Sequence, residues 1–561
     1  MDYNYLAELL FPHIKETPDD IEAKYPPRTL PEGAKVTRFA PSPTGFVHFG
    51  GLFPSTVGER LAHQSGGVFY LRIEDTDAKR EVAGAAEGLI KTLAKYGINF
   101  DEGAILDESG IISDKGAYGP YKQSQRGHIY QVFAKQLVRE GKAYPCFTTE
   151  EELDELQSVN KKEEIKNTDW QAEAEARRQE MLARRNFTIE DVEEHINAGH
   201  PFVLRILALG NPEKKIKFTD LVKGTLEIPE NDEDFVLLKS DGIPTYHFAH
   251  AVDDHLMHTT HVLRGDEWIS SVPKHIQLFK LLGFKPPKYG HISPIMKLDN
   301  GAKRKISKRK DPEAAVHFFA SEGYDSECVI EYLMTIAASD FEDWRRANPD
   351  KSYKDFKFNL KKMSVSGALF DSDKLNDVSK TVISKLDSKA VFEKLTDWAK
   401  EFDTEFYEIL TENPDYTRAM LSIDRDVPKP RKDIAKWSEA KDYFSYFFDK
   451  LYTPDFTLPE NITPADAAEF LKRYKSVYNA ADDRQQWFDR IKQIAPEIGF
   501  AAETKQYKAD PESFKGHAGD LSTVLRIAIT GRRNTPDLCS IMQVLGYDTC
   551  ISRIDAAINS L

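Results

Sequence analysis

Cysteine is scarce in this chain. Cys146, Cys328, Cys539 and Cys550 are scattered through 561 residues without any CxxC spacing. That excludes a disulfide framework and a cysteine-built zinc site, and makes a reducing compartment, the cytoplasm, the simplest expectation. Long apolar runs are missing too: none approaches the ~20 residues of a membrane span. The opening residues, MDYNYLAELLFPHIKETPDDIEAKYPP, are acidic and lack the basic flank and apolar core of a signal peptide. They read as a folded extension or lead-in. Internal repeats and low-complexity stretches are absent as well. Positive charge is in deficit, with 76 Lys and Arg against 91 Asp and Glu and a net charge of -15. Any contact with nucleic acid must therefore use local basic patches.

What is present is enough residues for several cores. VTRFA (36–40) reads as a short buried strand and PSPTG as a loop, because Pro41 and Pro43 remove backbone donors. The pattern predicts a helix from about Gly51 to Gln64 with Leu52, Val57 and Leu61 inward. A strand over 68–75 and a helix near 84–96 follow. Strand, loop, helix, strand, helix is the mark of a doubly wound parallel sheet. A helix over 127–140 ends at Gly141. Residues 149–198 read as charged and helical, and FVLRILAL, IKFTDLV, GTLEI, DFVLLK and PTYHFAH between Phe202 and Phe248 read as strands. Asp241-Gly242 marks a tight turn. HVLRGDEW (261–268) reads as a strand with a polar turn and 271–282 as a helix. The expected division is an extension (1–35), the first half of a Rossmann-like domain (36–141), an α+β insertion (142–234), the second half (235–295), a connecting region with the lysine loop (296–375) and an all-helical region of one or two bundles (376–561).

Two loops stand out. In RFAPSPTGFVHFGG, Arg38 closes a strand, Ser42 sits among prolines, and His48, Gly50 and Gly51 open a helix. Strand carboxyl ends and helix N-termini are where such sheets bind anions. The bland reading of HxGG alone is a Pro-rich surface loop with an incidental histidine. In KRKISKRK (303–310), Lys305 and Lys308 flank Ser307 within a basic cluster. A solvated loop is the usual meaning of such a run, yet in an acidic chain a local anion partner fits, and lysines suit a phosphate gaining charge. Glu74 in RIEDTD suits a substrate ammonium, with a salt bridge to Arg72 or Arg80 as its structural alternative. PTYHFAHAVDDHLMHTTHVLRGDEW brings Tyr246, His250, Arg264 and Glu267. Its histidines are read as packing residues, since His250, His255, His258 and His261 do not repeat one helical face.

Taken in order, RFAPSPTG, HFGG, RIEDTD, GPYKQSQR, DGIPTYHFAHAVDDHLM, LRGDEW and KISKRK resemble the glutamyl-tRNA synthetases, which are class I aminoacyl-tRNA synthetases. The resemblance runs from about Val36 to the end and weakens in the tail, where VLRIAITGRRNTPDL still fits. HFGG resembles the HIGH signature, with Gly51 at its last position, and KISKR the KMSKS signature. The resemblance implies that Arg38, Tyr246 and Arg264 hold the side-chain carboxylate of L-glutamate, a task suited to the guanidinium fork. It implies that Pro41, Ser42, Pro43 and Glu74 bind the amino-acid backbone, with Arg80 in support. ATP with Mg2+ as a substrate would be met by His48, Gly50, Gly51, Glu267, the backbone near Met296, Lys305, Ser307 and Lys308. The expected partners are tRNA(Glu) and, in a non-discriminating enzyme, tRNA(Gln) as well. The insertion would take the acceptor end and the helical tail the anticodon, with Arg431, Arg532 and Arg533 as candidate contacts. The family expectation is a monomer.

Three departures stand beside the resemblance. His250 occupies a position where some relatives carry a substrate-touching asparagine. Cys146 stands alone where many relatives cluster zinc ligands, so no zinc is expected and no metal ligand is named. The lead-in before Val36 is longer than usual. The rival readings are a relative that glutamylates a queuosine base, which lacks the helical tail, a glutaminyl-tRNA synthetase, whose tail is built from β-barrels, and a catalytically silent RNA-binding paralogue, which the retained His48, Lys305 and Lys308 argue against.

Overall fold

The structure, a computed structural model, describes residues 1–45, 47–77, 81–148, 178–307 and 309–561. Arg80 and Lys308 lie outside these residues, as does most of the predicted helical stretch 149–198. The chain forms two compact units, residues 1–316 with 333–370, and residues 317–332 with 371–561.

In the first unit β1 (Val36–Phe39), β2 (Val68–Leu71) and β3 (Glu102–Leu106) run parallel, and β4 (Ile112–Lys115) closes the edge antiparallel. β10 (His261–Gly265) and β11 (Lys288–Ile292) form a second parallel pair. They continue the layer beside β1, where Thr260 donates its N–H to Val36 O at 3.0 Å and accepts the Val36 N–H on Oγ1 at 2.8 Å. The chain leaves β1 toward β2 and returns at β10 on the other side. This is the topological switch point, and the crevice outside its strand ends is where doubly wound sheets take ligands.

The helix Phe49–His63 buries Leu52, Phe53, Val57 and Leu61 against that layer. β2 is shorter than the expected strand: it stops at Leu71, and Glu74 sits in the extended segment that follows. PTYHFAH is a correction. Tyr246–Leu256 is a helix, not a strand. His250 and His255 lie on it, His258 sits in a left-handed turn with φ 54°, and His261 opens β10. The metal reading gains nothing from the change, since no group of metal-holding side chains occurs among the described residues.

Among its described residues the expected insertion carries both strands and the helix Ile189–Asn197. β5 (Ala143–Cys146), β6 (Val203–Ile206) and β9 (Val236–Leu238) form an antiparallel sheet. β7 (Lys215–Asp220) and β8 (Gly224–Pro229) form a hairpin whose turn reaches the main layer, where Leu221 N–H bonds Tyr289 O at 2.8 Å. Beyond it, β12 (Met296–Asp299) pairs antiparallel with β13 (Ala302–Lys305).

The N-terminal segment is folded onto the same unit. Its helix Tyr3–Leu10 buries Leu6, Ala7 and Leu10, and Arg28 clasps Glu102 with two bonds of 2.7 and 2.8 Å. The second unit is helical among the described residues, with one isolated bridge between Ala501 and His517. Its helix Ser388–Phe402 shows the cause: Asp387 caps it, and Val391, Leu395 and Ala399, four apart, face the core. Among the described residues no helix is long and apolar enough to cross a membrane.

Candidate active site

The two arginines predicted for one pocket stand on the two strands that flank the switch point. Arg38 lies on β1 and Arg264 on β10, and both are buried. Between them is Tyr246, whose hydroxyl accepts from Arg264 Nη1 at 3.1 Å. Burial raises the pKa of that hydroxyl, and the charges of Arg264, Glu74 and Arg38 all act on it. Three of the predicted charged residues thus lie near enough to act on Tyr246. Trp268 lies across the Tyr246 ring at 4.3 Å between centroids.

Arg38 donates from Nε to both oxygens of Asp254 at 3.3 Å. Asp254 also takes Arg72 Nη1 at 2.7 Å, and Arg72 Nη2 reaches Glu74 Oε1 at 3.0 Å. So the structural alternative for Glu74 is realised: it is paired with Arg72. Its pKa is nonetheless raised, because burial outweighs the pull of Arg72 and Arg38. Asp254 is held well below the usual carboxylate range: burial opposes its charge, and Arg38, Arg72 and His250 overcome that. His250 Nδ1 is 2.6 Å from Asp254 Oδ2 but off the hydrogen-bond direction, and Nε2 meets Tyr289 Oη at 2.9 Å. Burial lowers the His250 pKa to about 4, so it is neutral near pH 7.

Arg264 is held differently. Nε donates to His291 Nε2 at 3.0 Å, and Nη2 donates to Trp268 O at 3.3 Å and to His275 Nδ1 at 3.2 Å. The guanidinium also lies 4.9 Å from the Tyr289 ring centre.

His48 caps the helix Phe49–His63 by accepting the Gly50 N–H on Nδ1 at 2.8 Å. A Cβ on Gly50 would stand 2.7 Å from that nitrogen, so glycine is what lets the imidazole fold over the helix end. On Gly51 a Cβ would meet only ordinary contact with Phe39. Ser42 is exposed, Pro41 is partly covered and Pro43 is buried. The side chain of Glu267 folds back over Gly265, where a Cβ would meet its carboxylate at 2.2 Å.

The lysine loop returns to His48. Lys305 is the register partner of Met296. After the loop, Ala315 bridges to His48, and Val316 N–H bonds Val47 O at 3.2 Å. Met296 N–H is bonded to Ala368 O at 2.8 Å and its carbonyl accepts Phe370 N–H at 2.7 Å, which leaves one carbonyl lone pair for a ligand. Asp311, which the sequence reading passed over, braces the loop. It takes Arg304 at 2.6 and 2.7 Å and the Ser307 N–H at 2.8 Å. Arg304, grouped with the lysines from sequence, is therefore neutralised. Asp253 was also missed. It binds Arg126 Nε at 2.7 Å, Gln123 at 2.8 Å and Tyr130 at 2.8 Å. Adjacent acids on a helix rich in apolar residues were the only local signal for the 253–254 pair.

In the second unit, Arg431 forms a fork to Asp433 at 2.8 Å on both arms. Arg532 bonds Asp442 Oδ1 at 3.0 Å, and Arg533 bonds Leu458 O at 2.7 Å.

A switch-point crevice with an HxGG helix start and a returning lysine loop is the catalytic architecture of the class I tRNA synthetases. The family described as "tRNA synthetases class I (E and Q), catalytic domain" matches residues 35–377, and that described as "Anticodon binding domain" matches 390–558. The chain is 49% identical over 558 residues to the glutamate–tRNA ligase of Clostridium perfringens, covering 99% of this chain and 100% of that protein. It is 44% identical over 564 residues to that of Sorangium cellulosum, covering 96% and 97%. Its fold is similar to the crystal structure of a glutamate tRNA ligase from Elizabethkingia meningosepticum in complex with its amino acid. There the TM-score is 0.72 at 25% identity, covering 94% of this chain and 99% of that one. The chain belongs to the glutamyl-tRNA synthetase family.

Proposed function

We propose that this protein ligates L-glutamate to tRNA(Glu) in two steps. The observation that supports the reading is that the charges of Arg264, Glu74 and Arg38 act on Tyr246, while Ala315 and Val316, just after the lysine loop, pair with His48 and Val47 at the helix start. The fork of Arg38 and the charge of Arg264 suit the side-chain carboxylate, and Glu74 suits the ammonium. A glutamine amide would present N–H groups to guanidinium N–H groups and lose a charged hydrogen bond, about 1.5–3 kcal/mol.

The glutamate α-carboxylate attacks the α-phosphorus of ATP in line. A P–O bond to the carboxylate forms, the bond to the bridging oxygen breaks, and pyrophosphate leaves with its Mg2+. The carboxylate is ionised at neutral pH, so no protein base is needed, and catalysis is positioning and charge stabilisation. His48, Gly50 and Gly51 suit the nucleotide phosphates, Glu267 and the backbone near Met296 the nucleoside. Lys305, Ser307 and Lys308 suit the departing pyrophosphate. A terminal ribose hydroxyl of the tRNA, the 2′ by family resemblance, then attacks the mixed anhydride and AMP leaves.

The insertion (142–234) would meet the acceptor end and the helical region (376–561) the anticodon, with Arg431, Arg532 and Arg533 as contacts. Monomeric state and cytoplasmic location belong to the same proposal; its alternative is a non-discriminating enzyme that also charges tRNA(Gln). The test is charging of purified tRNA(Glu) and tRNA(Gln) with labelled glutamate. Lys305→Ala should slow adenylate formation by about 100- to 1000-fold, the size of losing one preorganised donor. Charging by that variant at the parent rate would refute the assignment of the loop.

A further inference from the structure

We propose that Asp220 and His291 form a positioning pair for Arg264, one that fixes its guanidinium while leaving its charge for the substrate. The proposal rests on the reading of Arg264 as a carboxylate-binding residue.

The chemistry of the three groups allows one arrangement. Arg264 can only donate, and its Nε donates to His291 Nε2 at 3.0 Å. His291 Nε2 must therefore carry its lone pair, and the ring proton must sit on Nδ1. There it meets Asp220 Oδ2 at 2.6 Å, and an ionised carboxylate can only accept. Both His291 and Asp220 are buried. Burial and the neighbouring Arg264 keep His291 neutral against the pull of Asp220. Burial opposes the charge of Asp220, but His291 and the amides of Lys223 and Val222 outweigh it and keep the carboxylate ionised. The other side of Arg264 repeats the logic with no acid at all. His275 Nδ1 accepts from Nη2 at 3.2 Å, so His275 donates from Nε2 to His247 Nδ1 at 3.0 Å. Among the described residues every hydrogen-bond partner of Arg264 is uncharged.

Asp220 ends β7, in the insertion, not in the sheet that carries Arg264. Its Oδ1 is anchored by the N–H groups of Val222 at 2.9 Å and Lys223 at 2.8 Å, and the His291 backbone N–H is shared between Oδ1 at 3.2 Å and Oδ2 at 3.1 Å. That anchoring makes Asp220→Asn a sharp probe. The amide oxygen would stay on those donors and take the His291 N–H as well, and the NH2 would take the place of Oδ2. It would donate to His291 Nδ1, drive the ring proton to Nε2, and set that N–H against Arg264 Nε–H. Shape is preserved and polarity is reversed.

The experiment measures Michaelis constants for glutamate and for ATP in tRNA(Glu) charging. Asp220→Asn should raise the glutamate KM by about tenfold or more, the size of one charged hydrogen bond, with the ATP KM unchanged. His291→Gln, which can still accept from Arg264 and donate to Asp220, should stay within about threefold, while His291→Leu should resemble Asp220→Asn. A purely structural role predicts that His291→Gln and His291→Leu, which both replace a buried ring, behave alike. If Asp220→Asn fails to fold by circular dichroism, the His291→Gln and His291→Leu pair decides. A parent-like glutamate KM in Asp220→Asn, an equal rise in both constants, or indistinguishable His291 variants would overturn the proposal. Arg264→Lys separates it from the reading beneath: an unchanged glutamate KM there removes Arg264 from the pocket. A rise there without one in Asp220→Asn removes only the positioning pair.

Discussion

Arg38 and Arg264 flank the same switch point, yet they are built in opposite ways. Arg38 spends Nε on the Asp254 carboxylate, and among the described residues its two terminal nitrogens have no hydrogen-bond partner. It offers a free fork whose charge is already matched. Arg264 has Nε and both terminal nitrogens in use, all on uncharged acceptors. It offers charge in a fixed direction. Two identical side chains side by side would repel each other and compete for one ligand. Dividing geometry from charge lets a carboxylate be oriented by one and attracted by the other.

The largest test of this contrast is on the Arg38 side. Asp254→Ala would leave Arg38 and Arg72 in the protein interior without their shared acid, and breaking a buried ion pair by removing one partner costs about 3–5 kcal/mol. Chemical denaturation should show a loss of that size. A loss below about 1 kcal/mol, as for an exposed pair, would mean that Asp254 does not carry the Arg38 arrangement.

Next comes selectivity. Arg264→Gln removes the charge not matched by a neighbouring acid and should reduce kcat/KM for glutamate by about 2–3 kcal/mol. Preference over glutamine should fall with it. Arg38→Gln should change that preference less, because it removes a charge that Asp254 already offsets. Measured ratios of kcat/KM for the two amino acids check this, and a larger drop in Arg38→Gln would reverse the division of roles.

Acid should also distinguish the two sides. Burial first, then Lys274 and Arg264, lower the His247 pKa to about 4, and His250 is likewise at about 4. Free histidine titrates at about 6.5. Between those values the unfolded chain binds protons that the folded chain refuses, so stability is complete above pH 6.5 and falls as pH drops toward 4. The loss is on the order of 1 kcal/mol per histidine by about pH 5.5. Asp254, held well below the usual range, adds stability above the normal carboxylate pKa that is lost only in stronger acid. Melting midpoints scanned from pH 7.5 to 4.5 should therefore fall before Asp254 titrates. A flat profile to pH 4.5 would contradict the neutral burial of these imidazoles.

The motif-bearing residues were legible in the sequence because their spacing to strand ends is local. Arg38, His48, Gly50 and Arg264 lie at or near strand ends and a helix start that period and turn residues reveal, Lys305 stood out by its basic cluster, and their roles came from the resemblance. What surrounds them was not. PTYHFAH alternates Tyr246, Phe248 and His250 and so mimics a strand. In the folded helix Phe248 through Asp254 are all buried, so no polar face exposes the helical period. Asp253 and Asp254 gain meaning only from Arg126, Arg72 and Arg38, which lie more than a hundred residues away. Asp220 is similar, since its partner His291 comes from another strand layer. Long-range charge pairing leaves no trace in local composition.

The smallest predicted effect asks how far the Arg38 arrangement extends. From Arg38 the contacts run to Asp254, Arg72, Asp253 at 3.7 Å, Arg126, and then Tyr25 Oη, which accepts from Arg126 Nη1 at 3.3 Å and donates to Gly119 O at 2.9 Å. Tyr25 belongs to the N-terminal segment, so that segment touches the end of a charge chain that starts in the pocket. Tyr25→Phe keeps the buried ring and removes only the hydroxyl. It should cost about 1 kcal/mol of stability, the net worth of one hydrogen bond, and leave the Glu-to-Gln preference intact, because four charged links separate it from Arg38. A change in that preference would mean that the chain transmits displacement to the pocket and that Arg38, unlike Arg264, is tuned from outside the sheet. A melting midpoint equal to the parent would mean that the segment is held by its apolar contacts, through Leu6, Leu10 and Ile21, and that the charge chain ends at Arg126.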